Sequence, residues 1–292
     1  MRLSFRVGDT AIHRVIEQTL PFEPAQGFLP ALSDAVLAEN RGWMEPTDLD
    51  PATGKLILCI QSYVVRTPHF TVLIDSCVGN DKTNPRFPAW NKRQDPSYLA
   101  ALAAAGVAPE QIDYVLCTHM HVDHVGWNTR LVDGRWVPTF PNAKYVFAQR
   151  EYDHWAALHA KSPVAVYAES VLPVIEAGRA EMVSDTHAIG DHLRLTPTPG
   201  HTPGHVAVEL GRGRTAAVFT GDLIHTRLQA RYPALSMRAD ADPVQSAATR
   251  RAFLEAHCEA GTLCCTSHFP TPSTMRLSRW GEGFRCDMIE PD

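Results

Sequence analysis

The sequence contains no apolar run of 18 residues, so nothing in it reads as a membrane-spanning helix. Clustered positive charge is missing as well. Lys and Arg number 27 against 32 Asp and Glu, giving a formal charge of −5, and the basic residues fall in scattered pairs such as Arg212/Arg214 and Arg250/Arg251. A nucleic-acid partner usually demands a basic surface, so that class is disfavoured. The opening residues interrupt their apolar positions with Arg2, Arg6 and Asp9, unlike the unbroken apolar stretch of a secretory signal. No C-x-x-C pair occurs among the seven cysteines, at 59, 77, 117, 258, 264, 265 and 286. Without an export signal they read as reduced thiols, which makes a cytoplasmic location the default expectation. No linker or internal repeat interrupts the chain. What is present is ordinary globular material: 292 residues, 45% hydrophobic and 20% charged, enough to bury a sizeable core. A single domain over 1–292 is expected, with 1–55 as an N-terminal extension and loop.

Along the chain, strands and helices alternate. Residues 56–65 and 70–75 are short and rich in large or β-branched apolar side chains, which predicts strands, the second closed by Asp75. Asp95-Pro96 opens a Leu- and Ala-rich helix over 97–105 that Gly106 stops. Tyr114 to Cys117 is an apolar strand leading directly into Thr118-His119-Met120-His121-Val122-Asp123-His124. Further strands are expected at 143–148, 192–196, 205–210, 215–220 and 262–267, and helices near 149–159, 163–177 and 242–257. Two segments, 19–55 and 79–96, follow neither period. Their Phe22, Phe28, Leu29, Trp43, Phe87 and Trp90 are too many large apolar residues for solvated loops. They are expected to wall a substrate pocket or pack against a second subunit, as in a homodimer, with core packing as the alternative.

The chemistry lies in histidines and aspartates at four separated places. In His119-x-His121-x-Asp123-His124 the first two imidazoles, at i and i+2, can grip one metal, and Asp123 and His124 can diverge toward a second. Imidazole nitrogen and carboxylate oxygen suit zinc. Further donors occur in Pro199-Gly200-His201-Thr202-Pro203-Gly204-His205, in Thr220-Gly221-Asp222 and in Thr266-Ser267-His268, each beside an expected strand. A polar loop or turn would need no such density of metal-ligand types.

Taken together and in this order, these motifs resemble the metallo-β-lactamase superfamily over about residues 56 to 270. The resemblance implies an α/β fold, a four-layer αββα sandwich of two mixed β-sheets flanked by helices. It implies His119, His121 and His201 on one metal, Asp123, His124 and His268 on another, and Asp222 shared between them with a water or hydroxide. The cofactor expectation is two divalent ions, Zn2+ first, with Mn2+, Fe2+ or Co2+ as alternatives. Asp222, Asp123 and His225 are the catalytic candidates, although His225, three residues after Asp222, could equally lie on the surface. Asp75 is expected to support a ligating histidine through a hydrogen bond, and His205 to be structural or supporting. Cys117 and the Cys264-Cys265 pair read as buried packing residues.

Departures from particular subfamilies narrow the activity. Di-iron redox relatives place a Glu where His121 stands and add a flavin domain. Cysteine-ligand β-lactamases place Cys where Asp222 stands. Glyoxalase-type thioesterases carry a longer C-terminal helical region, where only 269–292 follows His268 here, and RNA-processing relatives add a nuclease domain. What remains resembles the lactonase and organophosphate-hydrolase group. The expectation is a hydrolase that uses a metal-bridging hydroxide to open an acyl-homoserine-lactone-like or other hydrophobic lactone. An arylesterase or phosphotriesterase is the alternative within that class, and a non-catalytic metal- or ligand-binding regulatory protein the alternative outside it. The partner implied is a small hydrophobic ester or lactone, with neither nucleic acid nor membrane.

Overall fold

The computed structural model describes residues 3–291. The chain forms two compact units, each assembled from segments distant in sequence: one joins Gln18–Cys59 to Ala188–Pro291, the other joins the residues up to Glu17 to Ile60–His187. Among the described residues, two seven-stranded mixed sheets, a two-stranded sheet and eight α-helices make up the α/β fold that the resemblance implied. None of the described helices is long and apolar enough to cross a membrane.

The sheet containing the 114–117 strand runs in the order Ser4–Val7, Thr10–Pro24, Lys55–Arg66, Thr71–Ile74, Tyr114–Cys117, Lys144–Ala148, Ala180–Val183. Its last four strands are parallel, and parallel neighbours need crossover connections. Successive residues Val72, Leu73, Ile74 and Tyr145, Val146, Phe147 are all buried, the pattern of parallel strands covered on both faces. Helix Ser97–Ala104 lies in one crossover and helix Gln149–Lys161 in another. The crossover between them carries residues 119–124, so these side chains emerge beyond the carboxyl end of a parallel strand, where α/β sheets commonly place their sites.

In the other unit the order is Ala188–Ile189, Leu193–Pro197, Val206–Leu210, Ala217–Phe219, Leu263–Cys265, Thr274–Trp280, Gly283–Met288. Only Ala217–Phe219 and Leu263–Cys265 pair in parallel. Their crossover holds helix Pro243–His257, whose N-cap Asp242 accepts from the backbone N–H groups of Val244 and Gln245, with Pro243 at the first helical position. Phe253 and Leu254 of that helix pack with Val218, Cys264, Phe269, Met275 and Phe284.

The expected loop at 19–55 is corrected by the structure. A strand continues to Pro24, and helices Ala25–Phe28 and Asp34–Met44 follow, the second capped by Ser33 accepting from the Val36 N–H. Helix Asp34–Met44 buries Leu37, Asn40 and Met44 and packs Val36 and Trp43 partly against the core, so a polar Asn40 interrupts the apolar face that would show its period. Phe28 and Leu29 lie in a core cluster with Leu56, Leu58 and Leu228, against which Phe22 and Trp43 pack. Trp90 is buried with Phe87 beside it at 4.9 Å between ring centroids. The helix expected at 163–177 is two, Ala165–Ser170 and Leu172–Glu176, parted near Pro173, which has no N–H to continue the ladder. Segment 79–96 contains no helix or strand.

A buried lysine ties that segment down. Lys82 Nζ donates to Thr129 Oγ1 at 2.5 Å and to the Glu169 carbonyl at 3.0 Å, and lies 3.6 Å from the centre of the Trp136 ring. Burial lowers its pKa to about 7, against the opposing pull of Glu169 and Asp81. Between about pH 7 and the ordinary lysine range the unfolded chain therefore holds a proton that the folded chain has lost, so this group makes stability rise with pH through that window. Lys82→Met is expected to remove the rise. The check is the wild-type minus variant difference in urea midpoint between pH 7 and 10, and a flat difference would contradict it.

Candidate metal centre

Residues 119–124 are held by hydrogen bonds from several sides. Asp75, at the end of strand Thr71–Ile74, sits at φ 56°, a left-handed conformation that costs a non-glycine residue energy and clusters at functional sites. There its carboxylate accepts from the Thr118 backbone N–H at 2.8 Å and from the Thr118 hydroxyl, and pairs with His124 Nδ1 at 2.8 Å. Ser76 N–H donates to the His124 carbonyl at 2.7 Å, and Gly126 N–H to the Cys77 carbonyl at 2.8 Å. The approach at Gly126 is so close that a Cβ there would lie 1.8 Å from the Val78 carbonyl oxygen. Buried Glu17 accepts from Val78 N–H, Gly79 N–H and Trp127 Nε1. Glu151 accepts from Met120 N–H at 3.0 Å and from Trp155 Nε1 at 2.7 Å, and the Trp155 ring meets His121 edge-on. Glu17 and Glu151 carry no motif. Only the fold brings them here.

The result is a set of converging imidazoles. His119 Nε2 and His121 Nδ1 are 3.1 Å apart, and the His119 and His124 rings are 4.1 Å apart. Asp123 Oδ2 lies 3.8 Å from His124 Nε2. Ligands bonded at about 2.1 Å to one ion stand roughly 3 Å apart, so the nearer spacing is that of a coordination edge.

In the other unit three histidines meet one carboxylate. His201 Nε2 and His225 Nε2 each lie 3.1 Å from Asp222 Oδ2, and His268 Nε2 lies 2.8 Å from Asp222 Oδ1. The outer nitrogens are held in turn: His201 Nδ1 by Asp240 at 2.8 Å and His268 Nδ1 by the Cys59 carbonyl at 3.0 Å. His205 accepts the Asp222 backbone N–H at Nε2, 2.9 Å, and pairs with the Thr198 hydroxyl through Nδ1, so it positions Asp222. His225 is buried rather than on the surface. Cys117 and Cys264 are buried, and burial raises both thiols, Cys264 to about 12, which keeps them protonated.

This donor set fits divalent metal ions. Burial disfavours a His201 imidazolium, yet its hydrogen bonds to Asp222 and Asp240 outweigh that and push its pKa up to about 9. The surroundings thus stabilise a buried positive charge, as a cation would require. The sequence reading missed Asp240. It sits in an Ala-Asp-Ala-Asp-Pro stretch that looks like the start of helix Pro243–His257, and its partner Arg250 lies on that helix with Nη2 at 3.6 Å. Carboxylates holding a ligating imidazole typically carry 10- to 100-fold in metal affinity. Asp240→Asn is accordingly expected to weaken zinc retention by roughly 10-fold or more, read by competition with a chromogenic chelator, and an unchanged affinity would remove Asp240 from the site.

Comparisons with known proteins agree with this chemistry. The sequence profile described as the metallo-beta-lactamase superfamily matches residues 60–268. N-acyl homoserine lactonase AiiA of Bacillus thuringiensis subsp. kurstaki is 25% identical over 186 residues, 60% of this chain and 68% of that protein. Among solved structures, hydrolase AbOPH in the beta lactamase superfamily superposes with a TM-score of 0.82 at 23% identity, covering 99% of this chain and 97% of that one. AidC, a dizinc quorum-quenching lactonase in complex with a homoserine product, superposes with a TM-score of 0.80 at 19% identity, over 98% and 97% of the two chains. At those identities the two structures speak for the fold alone.

Proposed function

Because the chain belongs to the metallo-β-lactamase superfamily, we propose that it is a dinuclear metal-dependent hydrolase that opens a lactone bearing a hydrophobic, acyl-homoserine-lactone-like substituent. The observation that carries this reading is the buried Asp222 carboxylate, met on both oxygens by imidazole Nε2 atoms whose far nitrogens are fixed. On the family resemblance, His119, His121 and His201 would hold one ion, Asp123, His124 and His268 the other, and Asp222 would serve both. When bound, two divalent ions, zinc in the first place, supply Lewis acidity that polarises an ester carbonyl and acidifies water near neutral pH.

The chain's own residues do the rest. Asp240, Asp75 and the Cys59 carbonyl orient His201, His124 and His268 by holding Nδ1 and leaving Nε2 for the metal. Opening a lactone ring leaves an alkoxide that needs a proton. Asp123, whose side chain is 15% exposed against 5% for Asp222, is the more solvent-open of the two carboxylates, and it is assigned that transfer. His225 is less suited, being buried with its Nε2 engaged by Asp222. The 25% identical lactonase supports a lactone over other esters, and zinc stands first because imidazole nitrogen and carboxylate oxygen suit it.

The test is kcat/KM of one metal-loaded preparation on acyl lactones, aryl esters, phosphotriesters and β-lactams. Lactones are expected to be turned over fastest. The activity should vanish on chelation and return with Zn2+. A phosphotriester preference of tenfold or more, about 1.4 kcal/mol in barrier terms, would reverse the assignment. Full metal loading without turnover of any ester would favour a binding protein.

A further inference from the structure

His225 belongs to neither set of three histidine and aspartate ligands assigned above, yet its surroundings are those of a ligand. Its ring is stacked on His268, 5.3 Å between centroids with planes 3° apart, and Phe28 meets it edge-on at 5.4 Å. Asp222, His225 and His268 are all buried, and each offers one donor atom, these lying within 4.8 Å of one another. All three belong to the unit made of Gln18–Cys59 and Ala188–Pro291. Contacts inside that unit fix each of them: Asp222 N–H on His205, His225 N–H on Gln229 Oε1 at 2.8 Å, and His268 on Cys59, whose own N–H donates back to the His268 carbonyl at 2.9 Å.

We propose that Asp222, His225 and His268 form a metal-binding set complete within this unit, able to retain one divalent ion without the donors of residues 119–124. Two imidazoles and a carboxylate are a three-ligand set that zinc accepts, with a remaining position for water. The set is weaker than the full centre for a visible reason. Nδ1 of His225 finds no hydrogen-bond partner among the described residues, whereas Nδ1 of His201 and of His268 is held, and an unsupported imidazole is a poorer ligand.

The inference rests on the metal-binding part of the functional reading and not on the substrate. The double variant His121→Ala/His124→Ala takes an imidazole from each donor set that uses residues 119–124. Titrated with Co2+ alone and desalted, it is expected to keep about one equivalent by elemental analysis, and His225→Gln in that background to weaken Co2+ binding by roughly 10- to 100-fold. Loss of all metal from the double variant, or an affinity unchanged by His225→Gln, overturns the inference. If circular dichroism shows the double variant unfolded, the milder pair His121→Gln/His124→Gln supplies a second reading. There too about one equivalent of Co2+ is expected to remain and His225→Gln to weaken its binding by roughly 10- to 100-fold, and an affinity unchanged by His225→Gln overturns the inference. Absent lactone turnover with these cobalt results in place would count against the substrate assignment alone.

Discussion

Asp222→Ala is expected to lower lactone kcat/KM by on the order of 10³-fold or more, close to 4 kcal/mol of transition-state stabilisation. The effect should be this large because three imidazole nitrogens face its two oxygens within 3.1 Å. On the dinuclear reading, loss of the carboxylate takes a ligand from each cation and the fixed negative charge they share. Elemental analysis of the purified wild type should give close to two equivalents of metal per chain, and the variant should fall below that. Asp222→Asn separates charge from shape, since the amide keeps the volume and one acceptor but not the negative charge. A fully active enzyme with one tightly bound ion, or an Asp222→Asn variant with wild-type turnover, would refute the dinuclear assignment.

The second large effect lies in stability and reaches the site indirectly. Arg250 is fully buried, and its guanidinium donates to the carbonyls of Leu223, Pro233 and Leu235 and to Ser246 Oγ, with Asp240 3.6 Å away. Burial lowers even its pKa, to about 10, although Asp240 opposes the shift. Removing it leaves three buried carbonyls without this donor and a buried carboxylate short of a cation. Breaking such an arrangement typically costs 3–5 kcal/mol. Arg250→Ala is therefore expected to destabilise the protein by about 4 kcal/mol and lower Tm by roughly 10 °C. Arg250→Met, which keeps most of the volume, should recover only a small part. Since Asp240 also holds His201, zinc retention should weaken in both variants even where they remain folded. A Tm shift below about 2 °C would mean that water takes over the guanidinium's hydrogen bonds.

Much of this protein was legible in its sequence because the informative signals are local. Strand Tyr114–Cys117 is an apolar run bounded by a polar cluster, and helix Pro243–His257 announces itself by Asp242-Pro243. The ligand candidates could be named because histidine and aspartate at such density serve few purposes other than metal binding. Other elements left weaker traces. The hairpin Thr129–Val132 with Arg135–Pro138 turns on Asp133-Gly134, both at positive φ, a pair that signals such turns and went unread. Strands Thr274–Trp280 and Gly283–Met288 carry Arg276, Arg279 and Arg285 among their apolar residues, which obscured the alternation.

By itself, then, the sequence determined which side chains could bind metal, since donor chemistry belongs to the residue and motif spacing is set by the chain. It also determined the alternation of strands and helices, which follows from apolar period and capping residues. Only the tertiary structure decided which groups hold those donors in place. Asp240 and Arg250 belong to the crossover that returns the chain to its sheet, Glu17 to a strand 110 residues before the Trp127 it holds, and Cys59 contributes its backbone carbonyl and N–H. Such partners are selected by where a backbone passes rather than by what a residue is. His225 shows the same division: three residues from Asp222 it could have faced solvent, and packing against Phe28 and His268 turned its Nε2 onto the carboxylate.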